Sequence, residues 1–114
     1  MHVEIPEALL DTDTLSLYGR GHAEVRASAS AYLRIHGRFT FSELTRYEVT
    51  RGFRLVGAMS RLTAFERLCD LSRVLPFDAA CTERAASIWV DLHQRGQLIG
   101  EVDILIAATG WRRN

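Results

Sequence analysis

Short apolar runs that stop at polar turn formers alternate along this chain with stretches of helical period, and few architectures accept that order. The runs are Ala8-Leu9-Leu10, Arg38-Phe39-Thr40-Phe41 and Arg73-Val74-Leu75-Pro76-Phe77. Between them the apolar positions recur every three or four residues. Val25, Ala29, Tyr32 and Leu33 do so within 22–35, and Leu62, Phe65, Leu68 and Cys69 within 60–71. After Asp78 the stripe is Cys81, Ala85, Ile88, Trp89 and Leu92, and within 101–109 it is Val102, Leu105, Ile106 and Thr109. Start and stop signals agree with these spans. Asp13 or Thr14 caps a short helix over 15–18 that Gly19 and Gly21 break, and Gly37 closes the next helix. Ser42 opens a helix running to about Arg54, and Asp78 opens one that stops near Gly96. Strands alternating with helices predict an α/β fold: a small parallel sheet of three strands flanked by helices, in a single domain over 1–114.

Composition narrows the chemistry. Hydrophobic residues make up 47% of the 114 and charged residues 25%, enough apolar material for one core and too much for a disordered tail. Fourteen basic residues balance fourteen acidic ones, which argues against a protein that coats nucleic acid nonspecifically but not against one with a local basic patch. Every basic residue is arginine. Mechanisms that require a lysine are therefore excluded, which removes the haloacid-dehalogenase-like phosphatases and response-regulator receivers that an Asp11-x-Asp13 pair would otherwise admit. Cys69 and Cys81 lack metal-ligand spacing and lie on predicted core faces, so they read as reduced core thiols. The four histidines show no paired spacing. No signal peptide and no stretch of about 20 apolar residues is present, so a cytoplasmic protein with no membrane contact is expected.

Ligands of open α/β sheets bind beyond the carboxyl ends of the strands, and three acids fall there: Asp11, Glu48 and Asp103. Carboxylates that converge repel one another unless a cation neutralises them, and Mg²⁺ or Mn²⁺ is the hard divalent ion that oxygen ligands suit. Each acid also has an ordinary structural use. Asp11 and Asp13 are turn and cap residue types, and Thr45-Arg46-Tyr47-Glu48 has capping-box spacing. Glu101 and Asp103 sit in a first helical turn, where acids favour the dipole. On spacing alone both readings stand.

Three blocks together are more specific than any acid. Leu9-Leu10-Asp11-Thr12-Asp13-Thr14-Leu15-Ser16 resembles the opening of PIN-domain ribonucleases of the VapC toxin type. The segment from Phe41 to Gly52 resembles their second block, and that from Leu98 to Thr109 their third, all in the family's order. The resemblance implies a PIN-like three-layer fold in which Asp11, Glu48 and Asp103 are the metal-binding, catalytic acids. Asp13, Thr45 and Glu101 would stand around them. It also implies a domain shortened at its C-terminal end, because a further strand and a polar turn bearing another Asn or Asp usually follow the position of Thr109.

Under that resemblance the activity would be Mg²⁺- or Mn²⁺-dependent hydrolysis of RNA phosphodiesters by the toxin of a VapBC-type pair. Arg46, Arg51 and Arg54 would hold the RNA, since guanidinium forks suit phosphate oxygens. A VapB-type antitoxin and a homodimer are the implied protein partners, and the apolar last helix with Trp111 favours self-association. The alternative from another class is a shortened PIN-like module that dimerises and holds antitoxin while cleaving nothing.

Overall fold

The computed structural model describes Ile5 and residues 7–97 and 99–110. His2 and Trp111 lie outside these residues, and with them the part of the self-association argument that used Trp111. Eight elements follow in chain order: α1 (Thr12–Gly19), α2 (Ala23–His36), β1 (Thr40–Ser42), α3 (Glu43–Leu55), α4 (Met59–Leu71), β2 (Arg73–Leu75), α5 (Ala79–Gln94) and α6 (Glu101–Gly110). The fold is mixed α/β, as the alternation predicts. Local chemistry sets the helix ends. Ser42 caps α3 by accepting from the Thr45 N–H at 3.0 Å, and Asp78 caps α5 by accepting from the Cys81 N–H at 3.0 Å. Gly37 ends α2 at φ 80°, a conformation that costs glycine nothing. The cap of α1 corrects the sequence reading. It is Asp11, accepting from the Thr14 N–H at 2.8 Å, rather than Asp13 or Thr14.

The sheet is smaller than expected. β1 and β2 pair in parallel, Thr40 with Arg73 through Ser42 with Leu75, and they are the two named strands among the described residues. The run at residues 8–10 contributes a single parallel bridge, Leu9 to Thr40, with the Leu10 N–H donating to the Thr40 carbonyl at 2.9 Å. β1 thus lies between that bridge and β2, and its surroundings form the core. Phe39, Thr40, Phe41 and Ser42 are all buried. Phe39 meets Tyr18 of α1 edge-on and Tyr32 of α2 face-on, while Phe41 stacks on Phe65 of α4. Val49 and Phe53 bring α3 into the same cluster.

A satellite cluster of Ala85, Ile104 and Ala108 joins α5 to α6. Arg84 braces this pair, its Nε donating to the Ala108 carbonyl at 3.0 Å. α6 also packs against α3 and β1, so α5 reaches the main body chiefly through α6. Trp89, expected in the core stripe of α5, is 49% exposed and stacks instead on His93, with ring centroids 4.8 Å apart. The stripe predicted for α6 is met only in part: Thr109 is buried and Leu105 packs on the cluster, but the buried apolar residues are Ile104 and Ala108.

Candidate active site

Because the Leu9 bridge and β2 both run parallel to β1, the chain leaves residues 9–11, β1 and β2 on the same rim of the sheet. Two of the predicted acids enter there. Asp11 follows the bridge segment directly, and one of its oxygens, Oδ1, is engaged as the α1 cap. Glu48 stands about a turn and a half into α3, on the helix that Ser42 launches from the end of β1. The next residue after Asp11 joins them: the Thr12 hydroxyl donates to Glu48 Oε1 at 2.6 Å, across 36 residues of sequence. At that length the hydrogen bond is of the short, charge-assisted kind. Glu48 is therefore no capping-box residue, since the cap of α3 is Ser42.

Helical phase explains why Glu48 faces the rim. Thr45, Val49 and Phe53 occupy the inner face of α3 and are buried, and Glu48 lies at the border of that face with its side chain 19% exposed. Thr45, expected as a polar neighbour of the acids, is fully buried, and its hydroxyl accepts from Ser42 Oγ at 3.1 Å. It supports the start of α3 rather than opening onto solvent.

The remaining acids stand on α1 and α6. Asp13 is exposed on the first turn of α1. Glu101 and Asp103 are exposed in the first turn of α6, the element that packs on α3 and β1. Among the described residues these three carboxylates have no hydrogen-bond or ion-pair partner, and no three His, Cys, Asp or Glu side chains are placed to hold one metal ion. The Thr12 hydrogen bond ties Glu48 to the residue beside Asp11, and carboxylate oxygens are hard-cation ligands in kind.

The predicted arginines line the outer side of α3, beside a groove of about 1000 Å³ between α3 and α4. Arg46 pairs with Glu43 at 3.5 Å. Arg51 pairs with Glu48 Oε2 at 3.8 Å, and its guanidinium lies 5.1 Å from the centre of the Tyr47 ring. Arg54 lines the same groove. Sequence reasoning missed Thr12 as a site residue. Its position between Asp11 and Asp13 was the one signal available.

Compared with known protein families, residues 8–114 match the PIN domain. The chain belongs to the PIN domain family. A search of curated proteins finds no match. Among solved structures, this PIN domain is similar to a DNA-bound VapBC from Salmonella typhimurium, at TM-score 0.79 and 21% identity, covering 96% of this chain and 82% of that one. It is similar to FitAcB from Neisseria gonorrhoeae at TM-score 0.73 and 26% identity, covering 92% and 81%. A VapBC2 from Rickettsia felis, bound to a DNA fragment from its promoter, aligns at TM-score 0.73 and 22% identity, covering 90% and 78%. The α/β fold expected from the three sequence blocks is that of this family. No helix of the described residues is long and apolar enough to cross a membrane.

Proposed function

We propose that this PIN domain is the toxin of a toxin–antitoxin pair and an Mg²⁺- or Mn²⁺-dependent endoribonuclease. The observation that carries the reading is the Thr12–Glu48 hydrogen bond, which draws the Glu48 carboxylate to the residue beside Asp11 within a chain of this family. Asp11, Glu48 and Asp103 are the acids assigned to the ion, with Asp103 contributed from α6; Asp13, Glu101 and Thr45 are assigned supporting places. A bound divalent cation supplies charge neutralisation at the phosphate and a water of lowered pKa.

This chain's own residues do the rest. Thr12 orients Glu48, and Asp11 keeps its second oxygen, Oδ2, clear of the α1 cap. Arg46, Arg51 and Arg54 offer guanidinium groups to RNA phosphates along the α3–α4 groove. The partner is a VapB-type antitoxin; similar structures include a DNA-bound VapBC and a toxin–antitoxin complex from Klebsiella pneumoniae. Self-association as a homodimer and a cytoplasmic location complete the proposal.

The test uses labelled RNA with Mg²⁺ or Mn²⁺, with and without chelator, and the variants Asp11→Asn and Asp103→Asn. Chelator-sensitive cleavage lost in both folded variants is the expected result. Cleavage retained in both removes these acids from the mechanism. The open arrangement of the acids favours one second reading, a module that dimerises and holds antitoxin without turnover. No cleavage by intact folded protein, together with antitoxin binding, selects it.

A further inference from the structure

Both oxygens of the Glu48 carboxylate are occupied. Oε1 takes the Thr12 hydroxyl at 2.6 Å, and Oε2 faces the Arg51 guanidinium at 3.8 Å. The two contacts differ in kind. The first is short and half-buried, and it reaches across the fold from α1 to α3. The second is long, lies within one helix at i,i+3 spacing, and involves an arginine side chain that is 56% exposed. In the same position the Arg51 guanidinium also lies 5.1 Å from the centre of the Tyr47 ring, so loss of the carboxylate does not strand it.

We infer that Arg51 is the resident counter-ion of Glu48, which a divalent cation must displace, while Thr12 holds the carboxylate in place through the exchange. The inference rests on the proposed reading of Asp11 and Glu48 as cation ligands. Two positive charges cannot share Oε2 without repulsion, and of the two contacts the loose, solvent-facing one yields. Arg51 thereby sets how tightly the rim takes its ion, a role distinct from gripping RNA. Arg46 supplies the internal control. It has the same charge and the same i,i+3 geometry, but its partner is Glu43.

The experiment is a Mn²⁺ titration of the full chain at low ionic strength, with free ion read by electron paramagnetic resonance. The proteins are the wild type, Arg51→Gln, Arg51→Lys, Arg46→Gln, Thr12→Val and Glu48→Gln, each checked for folding by circular dichroism. Arg51→Gln binds Mn²⁺ about two- to fivefold more tightly than wild type, the scale of an exposed ion pair. Arg51→Lys stays near wild type, Arg46→Gln shifts by less than about half the Arg51→Gln effect, and Thr12→Val weakens binding. Arg51→Gln no tighter than Arg46→Gln, with Mn²⁺ still lost in Glu48→Gln, overturns the counter-ion role and leaves the cation site standing. Mn²⁺ binding absent from wild type, or unchanged in Glu48→Gln, overturns the cation site and the counter-ion role with it. Should Arg51→Gln not fold, Arg51→Met carries the same prediction.

Discussion

The Thr12–Glu48 contact can be weighed without any assumption about catalysis. Replacing Thr12 with Val keeps the branched shape and removes only the hydroxyl that donates at 2.6 Å. A hydrogen bond to a charged partner contributes about 1.5–3 kcal/mol. Two features of the structure discount that figure: the Glu48 side chain is 19% exposed, so water replaces part of the lost contact, and Arg51 already shares the carboxylate's charge. About 1 kcal/mol remains for the pair, which for a domain of this size corresponds to roughly 3–6 °C in Tm. The assay is a double-mutant cycle of Thr12→Val, Glu48→Ala and the double variant, followed by urea unfolding at neutral pH. The cycle cancels the Arg51 pair and the lost Glu48 packing, leaving the α1–α3 interaction itself. A coupling energy under about 0.3 kcal/mol would show that the two side chains do not hold each other, and the account of how Glu48 reaches the rim would fail with it.

Other perturbations test the frame around the site. Ser42→Ala removes a fully buried cap from α3 and orphans the Thr45 N–H, so unfolding free energy falls by about 1–2 kcal/mol; a loss below about 0.3 kcal/mol would contradict the cap. Gly19→Ala places a Cβ 2.8 Å from the ring of buried Phe53, and the resulting overpacking lowers stability by about 1 kcal/mol despite alanine's better helix propensity; a stabilised variant would show the ring free to move. The Cys69 thiol is pushed above its usual range chiefly by burial, with Arg46 opposing and Asp70, Glu43 and Glu66 adding to the rise. A raised pKa means that the folded state favours the protonated thiol. Its contribution is therefore present below the unfolded value and lost as pH rises through the folded one. Urea midpoints measured upward from pH 9.0 fall more steeply for wild type than for Cys69→Ala, and parallel curves would refute the shift.

Features of the fold that were legible in the sequence are those set by residues close in the chain. Ser42, Asp78 and Gly37 each define a helix end through contacts within about four residues, and their helices begin or stop where those residues predict. Features requiring distant partners were less legible. Ala8-Leu9-Leu10 has the composition of a strand, yet a strand exists only where a neighbour pairs with it, and here pairing extends to one bridge. Trp89 fits its stripe by spacing, but α5 is covered chiefly by α6, a ten-residue helix that shields Ala85 and leaves the large indole half in solvent. α6 itself, Glu-Val-Asp-Ile-Leu-Ile-Ala-Ala-Thr-Gly, is apolar on almost every side after its first turn. Periodicity therefore could not say that Ile104 and Ala108 face inward.

The candidate site was legible to the extent that carboxylates advertise themselves. Asp11 appeared with two competing readings, structural cap and ligand, and the structure shows why those do not exclude each other: the cap uses Oδ1 and leaves the other oxygen free of it. Thr12 carries no charge, and its partner is 36 residues away, so its place between Asp11 and Asp13 was the one local mark of it. The arginines expose a different limit. The family resemblance implies phosphate contacts for Arg46 and Arg51, but each is tied to an acid on its own helix. Exposed pairs of this kind contribute only about 0.2–1 kcal/mol, little enough for a phosphate or a divalent cation to exchange partners with them. An arginine resting on an acid is then no evidence against binding RNA. It keeps the carboxylate neutralised until a stronger partner arrives, and that exchange is what the Mn²⁺ titration measures.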